Sequence, residues 1–113
     1  MNLSLTPDMI AAAYELLRTT PPFRRWGLPE ADDVGFYVIA AKGDHGSHWT
    51  ADFAHHIAIN KCHTQLPSLL NCVAHEMCHM RQFILGEKSY HGPVFKRLAD
   101  QVCRHHGFDR GMF

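Results

Sequence analysis

The segment VAHEMCHM, residues 73–80, places two histidines four positions apart, with a glutamate directly after the first. On a helix, residues four apart share one face with their Cβ atoms about 5 to 6 Å apart, so the imidazoles of His75 and His79 could bind one metal ion. Zn²⁺ accepts imidazole nitrogen at about 2.0 to 2.1 Å in a tetrahedral site. Glu76 is offset around the helix, which puts its carboxylate beside a metal-bound water and not on the metal. The pattern therefore predicts a zinc site with Glu76 as general base.

The chain carries ten histidines among 113 residues, so the motif has to be weighed against chance. Shuffling this composition produces the pattern about 0.03 times per chain, which favours a real site over two partly exposed helix histidines near a glutamate. The motif also needs a helix, and the spacing of apolar residues indicates one independently. The motif residues lie off this apolar stripe, which should face the core. The stripe consists of Leu69, Val73, Met77, Met80 and Ile84.

A catalytic zinc commonly has three protein ligands and one open position, so a third ligand is needed. The metzincin arrangement would place a histidine six residues after His79, where the chain has Leu85. Thermolysin-like enzymes use a glutamate from the following helix, but that helix offers only Asp100 as a carboxylate. Glu87 follows the motif helix too closely. His91 is therefore the favoured third ligand, because its loop returns the chain towards that helix; a solvated loop histidine is the alternative.

Prolines mark the start of three predicted helices, since proline is favoured in the first helical turn. The first helix is expected over residues 7–19, and the motif helix over residues 67–86, where a glycine ends it. A third helix is expected over residues 93–107, again ending at a glycine. Its apolar face consists of Phe95, Leu98, Ala99 and Val102.

Three segments between the first two helices are typical of strands. VGFYVIAA, residues 34–41, is aromatic and β-branched, and further extended segments are expected over residues 49–53 and 55–61. Together the elements predict an α+β fold with an N-terminal helix, a small antiparallel sheet of about three strands, the motif helix and a C-terminal helix. We expect one domain over residues 1–113. The segment HHIAIN, residues 55–60, could be an edge strand along which a peptide lies antiparallel, or an internal strand.

The composition argues against several classes of protein. Lysine plus arginine and aspartate plus glutamate number 11 each, so no global field attracts nucleic acid or an acidic membrane. The N-terminus lacks a basic region, and no run of about 18 apolar residues occurs, so we expect a soluble cytoplasmic protein with no membrane partner. The four cysteines form no C-x-x-C pair, which argues against a zinc ribbon and a disulfide framework and favours buried free thiols. Cys78, inside the motif, is expected to face the core.

Two further clusters each allow a functional interpretation and a purely structural one. Four histidines near a glycine-rich turn could form a second metal site, although solvated loop histidines are favoured. They are His45, His48, His55 and His56. A basic and aromatic cluster could contact single-stranded DNA, although a solvated connection anchored by its tryptophan is favoured. Its members are Arg18, Arg24, Arg25 and Trp26.

The motif region resembles a known family. HEMCHMRQFILGEKSYHGPVFK, residues 75–96, is similar to the core of the SprT-like, or Spartan-type, zinc metalloprotease domain, in which a His-Glu-x-x-His helix precedes a loop and a His-Gly-x-x-Phe-Lys segment. HHIAINKCHTQLPSLLNCVAHE also fits the family, so the resemblance extends from residue 34 onward. It implies a zincin-like α+β fold. It also implies that His75, His79 and His91 bind Zn²⁺ and that Glu76 is the catalytic base.

The resemblance implies a zinc-dependent endopeptidase whose substrate is a protein or peptide, with single-stranded DNA or DNA-bound protein as a further candidate partner. The family's zinc ribbon and DNA-binding tails are not expected in this chain, so the likeness supports a minimal catalytic core better than it supports repair of DNA–protein crosslinks. Tyr90, beside His91, is a candidate oxyanion donor; packing of the loop onto the core is its alternative role.

Two other functions remain open from the sequence. One is a zinc-stabilised binding module that docks protein or DNA with little or no proteolysis, and the other is a metal hydrolase that does not cleave peptides. Glu76 favours catalysis over the binding module, because a purely structural zinc site needs no base and more often closes its fourth position with a ligand.

Overall fold

The computed structural model describes residues 4–113, which fold into three α-helices and a three-stranded mixed sheet. The predicted α+β class is confirmed, and each helix and strand starts and ends within three residues of its predicted bounds. The helices are α1 (Pro7–Arg18), α2 (Leu66–Ile84) and α3 (Pro93–His106); the strands are β1 (Val34–Ile39), β2 (Gly46–Ala51) and β3 (Ala54–Asn60).

The helix ends follow local signals in the sequence. Thr6 caps α1, with its side-chain hydroxyl accepting a hydrogen bond from the Met9 amide at 3.2 Å. Pro67 and Pro93 lie in the first turns of α2 and α3. Gly107 ends α3 in the left-handed region, with φ of 74°, which a glycine adopts without steric cost. These signals set the length of the helix that carries the motif.

The sheet order β1-β3-β2 differs from the predicted antiparallel sheet, because β1 runs parallel to β3. Only β2 and β3 are antiparallel, joined by the two-residue turn Asp52-Phe53, whose positive φ angles of 53° and 64° are typical of tight hairpins. The chain from β1 therefore passes over the end of β3 and returns through β2, which supplies the long connection that a parallel pair requires. Since β3 is the central strand, HHIAIN is internal, so of the two alternatives left open for this segment the internal strand is observed.

Asn60, at the end of β3, holds the loop that crosses this strand. Its side-chain amide donates to the carbonyl oxygens of Ala41 at 2.6 Å and Asp44 at 2.8 Å. Its side-chain oxygen accepts from the Cys62 amide at 3.0 Å. These backbone groups would otherwise lack partners where the loop crosses the strand end. The buried Asn60 therefore holds both the loop before β2 and the turn after β3.

The helices cover one face of the sheet. Tyr14 of α1 packs on Phe36 of β1, with ring centroids 5.3 Å apart, and Ile57 and Ile59 of β3 are fully buried. On the opposite face Tyr37, Trp49 and His56 pack on one another across the strands. One face of the sheet thus forms the core, and the other carries a partly exposed aromatic cluster.

The predicted apolar stripe of α2 is confirmed at four of its five positions, because Leu69, Val73, Met77 and Met80 are buried. Ile84 is 41% exposed and was wrongly assigned to the core, since the last turn of α2 extends beyond the packed elements. The apolar face of α3 is buried as predicted.

The cysteines are all free, and three are buried. They are Cys72, Cys78 and Cys103. Cys62 is exposed, which contradicts the prediction that all four are buried, because it lies in the turn after β3. No helix within residues 4–113 is long and apolar enough to cross a membrane.

Candidate metal centre

Three imidazoles from α2 and the following loop come together. His75 and His79 lie one turn apart on α2, and His91 lies in the loop before α3. One ligand nitrogen from each ring lies within 4.8 Å of the others, and the Nε2 atoms of His75 and His91 are 3.4 Å apart. Tetrahedral zinc with Zn–N bonds of about 2.05 Å would separate its nitrogen ligands by roughly 3.3 Å. The three residues thus form a group that could hold one metal ion, and the distance between the His75 and His91 nitrogens is close to the value for zinc.

Hydrogen bonds orient the two helix histidines. The Nδ1–H of His75 points at the backbone oxygen of Phe113, 2.7 Å away, and the Nδ1–H of His79 points at Oε1 of Gln82, also 2.7 Å away. These acceptors place the ring hydrogen on Nδ1 and leave Nε2 with its lone pair towards the centre. Metal-binding histidines are commonly held in this way by an outer partner.

Burial makes the centre suitable for a metal ion. It lowers the pKa of His79 to about 4 and also lowers the pKa of His75, so both rings are neutral near pH 7, as metal ligands must be. His79 Nε2 and Glu76 Oε1 are buried and have no hydrogen-bond partner among the described residues. Buried polar atoms rarely lack partners, so these two atoms fit a bound metal ion and a water molecule.

Glu76 lines the same cavity as His75 and is buried. Its side chain is 4% exposed, and burial raises its pKa to about 8. It takes no part in the group of three ligand nitrogens. This is the arrangement of a carboxyl group that can exchange a proton near neutral pH without binding the metal.

Aromatic rings enclose the three histidines. The Phe95 ring lies under all of them, with centroid distances of 4.9, 4.6 and 4.8 Å to His75, His79 and His91. Tyr90 stacks on the other side of His79 at 4.3 Å, with an interplanar angle of 6°. Tyr90 is 63% exposed, so it covers the site without entering the core. Its position suits both roles considered for it, a hydroxyl donor at the cavity and a ring that packs the loop.

The loop that carries His91 is held by short contacts. The Gly92 amide donates to the Ser89 carbonyl at 2.6 Å, and the Gln82 side-chain amide reaches the same oxygen at 3.4 Å. A Cβ atom on Gly92 would lie 2.5 Å from Ser89 Oγ, so only glycine fits here. Gln82 thus links the ring of His79 to the loop that positions His91.

A cavity of about 290 Å³ opens beside the centre. His75, Glu76 and Tyr90 line it together with Gly46, at the start of β2. A Cβ atom on Gly46 would lie 2.8 Å from the backbone oxygen of Ala58, so glycine is needed for β2 to approach β3 closely at this point. The cavity therefore joins the candidate centre to an edge strand of the sheet.

The rejected third-ligand candidates lie away from the centre. Glu87 accepts hydrogen bonds from the amide and hydroxyl of Ser89, and Asp100 pairs with Arg110 at 2.7 Å on the surface. Neither belongs to the group of ligand atoms around His75.

The two other sequence clusters have different outcomes. His48 pairs with His55 at 2.9 Å and His56 with Tyr37 at 3.0 Å, so the four histidines do not form one site. His45 instead lies beside His63. Trp26 is buried, as the anchoring interpretation predicts, and Arg18 pairs with Glu15. The basic residues of α3, Lys96, Arg97 and Arg104, are exposed.

Three residues of the centre were missed from the sequence. Gln82 lies three residues after His79 on the same helical face, so a search for outer partners at that spacing would have found it. Phe95 was assigned to the core face of α3 but not to the metal centre. Phe113 has no sequence signal, because its contact with His75 depends on a chain reversal after α3.

Comparison with known families gives a match that covers most of the chain. A sequence model of the SprT-like family matches residues 35–111, a range that includes the three histidines, Glu76 and Tyr90. This match confirms the resemblance drawn from the motif region. No curated protein matches the chain.

Proposed function

Because the chain belongs to the SprT-like family, which is associated with metallopeptidase-like proteins, we propose that it is a zinc-dependent endopeptidase. One observation carries the proposal: three ligand nitrogens converge beside a buried carboxyl group that is not among the ligands. His75, His79 and His91 would hold the metal, and three neutral nitrogen ligands favour zinc over harder cations. Three protein ligands also leave one position for chemistry.

Different residues have different roles in the proposed peptide hydrolysis. When bound, zinc supplies Lewis acidity, which polarises a carbonyl and lowers the pKa of a water molecule. Burial alone favours the protonated form of Glu76, but the positive charge of a bound cation would favour the carboxylate. As a carboxylate, Glu76 would accept a proton from the attacking water and deliver it to the leaving amine. Phe95 and Tyr90 stack on the ring of His79 and shield it from bulk water, which strengthens electrostatic interactions there. Tyr90 is the proposed hydroxyl donor to the carbonyl oxygen as its negative charge develops.

The substrate is proposed to be an extended main chain. Within the described residues β2 pairs on one side only, with β3, so its other edge has free backbone groups. Gly46 at the start of β2 lines the cavity beside Glu76. A peptide that added to this edge would satisfy those groups and bring a carbonyl to the cavity. Recognition through the main chain would give broad sequence specificity.

The test compares wild type with Glu76→Gln, which keeps the shape of the side chain but removes its basicity. Both proteins are assayed for metal content by mass spectrometry and for cleavage of casein, an unstructured substrate. We expect zinc in both proteins and cleavage by the wild type alone. Glu30→Gln is the matched control, because Glu30 is exposed and does not line the cavity of Glu76; this variant should cleave normally.

Two outcomes would contradict the endopeptidase proposal. Zinc binding without cleavage under any condition would favour the binding module that keeps the fold for docking protein or DNA. A repeat of the assay with single-stranded DNA tests whether turnover depends on that partner, since phosphate contacts would weaken as salt increases. Absence of bound metal would reject the zinc site itself.

A further inference from the structure

Three metal-binding side chains that the proposed peptidase does not use meet beside its cavity. We propose that His45, Cys62 and His63 form a second metal site, which takes Zn²⁺ or a transition-metal ion of similar softness. One ligand atom from each residue lies within 4.8 Å of the other two. Nδ1 of His45 and Nε2 of His63 are 3.1 Å apart, close to the roughly 3.3 Å between two nitrogens on tetrahedral zinc.

A distance of 3.1 Å between the two ring nitrogens would also fit a hydrogen bond without a metal. The proposal therefore depends on the backbone and side-chain contacts that hold the three residues in place. Asn60, buried at the end of β3, connects both loops. Its side chain bonds the carbonyl of Asp44, next to His45, and the amide of Cys62. Its own backbone oxygen accepts from the His63 amide at 3.1 Å.

The backbone of His45 is fixed as well. Its carbonyl oxygen accepts from the Asn60 amide at 2.8 Å and from the Cys72 thiol of α2 at 3.3 Å. The ligand-bearing segments are therefore both tied to the end of β3 and in part to α2. A site that is arranged before the metal arrives loses less entropy on binding, which favours affinity.

The ligand set selects the kind of metal ion. One thiolate and two imidazoles suit zinc and its transition-metal neighbours, whereas calcium and magnesium prefer oxygen. Cys62 is accessible to a metal ion from solvent, since it is exposed while the other three cysteines are buried. The sulfur ligand distinguishes this site from the all-nitrogen group of His75.

The location gives the second site a connection to the first. His45 and His63 line the same cavity as His75 and Glu76. Three protein ligands leave one tetrahedral position open, and a water or carboxylate group in the cavity could fill it. The second site goes beyond the proposed peptidase, because the cleavage chemistry requires none of its residues.

Cobalt titration tests the proposal without an activity assay. Metal-free full-length protein is titrated with Co²⁺, and absorbance is followed for the near-ultraviolet band of sulfur-to-cobalt charge transfer. We expect two equivalents to bind and the band to appear. Cys62→Ser should abolish the band and weaken the second equivalent by about 100-fold or more, since losing an outer-shell partner alone costs 10- to 100-fold. Cys62 is exposed, so the variant should fold.

A double variant, His75→Ala with His79→Ala, separates this site from the peptidase centre. It should lose one equivalent of cobalt and keep the sulfur band. If His75, His79 and His91 bind no metal, the band-free equivalent alone should be missing, whereas failure of the second site would remove the band. A band that persists in Cys62→Ser, or one equivalent bound to wild type with no band, would overturn the proposal. A band whose intensity per chain grows with protein concentration would also overturn it, because Cys62 would then bind metal between two copies.

Discussion

His91 is the ligand candidate that depends most on a single loop. The ring is exposed, and its Nε2 atom lies 3.4 Å from that of His75. His91→Ala should lower zinc affinity by more than about 100-fold, because loss of an outer-shell partner alone costs 10- to 100-fold. Competition with a fluorescent zinc chelator measures the change in the Cys62→Ser background. His105→Ala, an exposed histidine of α3, is the control, and equal affinity in the two variants would exclude His91 as a ligand.

Gln82 acts through His79. Its Oε1 atom accepts the Nδ1–H of His79 at 2.7 Å and thereby fixes the ring and its tautomer. Gln82→Leu removes the acceptor at similar volume and should lower zinc affinity by about 10- to 100-fold. Gln82→Glu keeps an acceptor oxygen and should recover most of the affinity. If both variants lose the same zinc affinity, the contact of the Gln82 side-chain amide with the Ser89 oxygen matters and the acceptor for His79 does not.

The helices were predictable because each carries its own start signal and apolar period. Pro7, Pro67 and Pro93 mark the first turns, and the core-facing positions of α2 and α3 follow the expected spacing. The direction of β1 was not predictable, since a buried strand has the same side-chain pattern whether its neighbour is parallel or antiparallel. Pairing depends on how the 40–45 loop crosses β3, a tertiary feature that Asn60 stabilises.

The candidate site was predictable to the extent that helical geometry sets it. His75, Glu76 and His79 follow from one helix, while His91 needed the resemblance or an argument about the loop. The proposed site of His45 with Cys62 and His63 joins residues next to the ends of two strands, and strand pairing together with the contacts of Asn60 brings them close. Sequence spacing contains no signal for that contact.

The loop between α2 and α3 sets the position of His91, the proposed third ligand. A Cβ atom on Gly92 would lie 2.5 Å from Ser89 Oγ and 3.0 Å from the Ser89 carbonyl oxygen, so the loop must shift. Gly92→Ala should therefore destabilise the fold by about 1 to 3 kcal/mol, as overpacking does, and lower zinc affinity. Urea unfolding and the chelator assay measure both effects. Gly111→Ala, whose Cβ would meet only Asp109 at 3.4 Å, is the control; unchanged zinc affinity in Gly92→Ala would show that the loop does not fix His91.

At the scale of the whole molecule, we expect the core and the proposed metal centre to be separate sources of stability. The core joins α1, α2, α3 and the sheet through apolar residues such as Ile10, Ile57 and Val102, which are fully buried. The centre lies at one side of this core, and its ligands include an exposed loop residue. A chain of this kind should fold without metal, unlike a small domain whose core is its zinc site.

Metal removal is therefore expected to lower stability without unfolding the chain. In the Cys62→Ser background, free zinc at 100 times its Kd should stabilise the fold by about 2.7 kcal/mol. For a chain of this size that corresponds to a rise of about 10 °C or more in the melting temperature. Calorimetry with and without chelator measures the shift, and circular dichroism at 25 °C should show the same helix content in both states. A variant lacking His75 and His79 should melt like the chelated protein. A chelated chain that is unfolded at 25 °C would instead mean that the metal is a structural part of the core, which would favour the binding module over the peptidase.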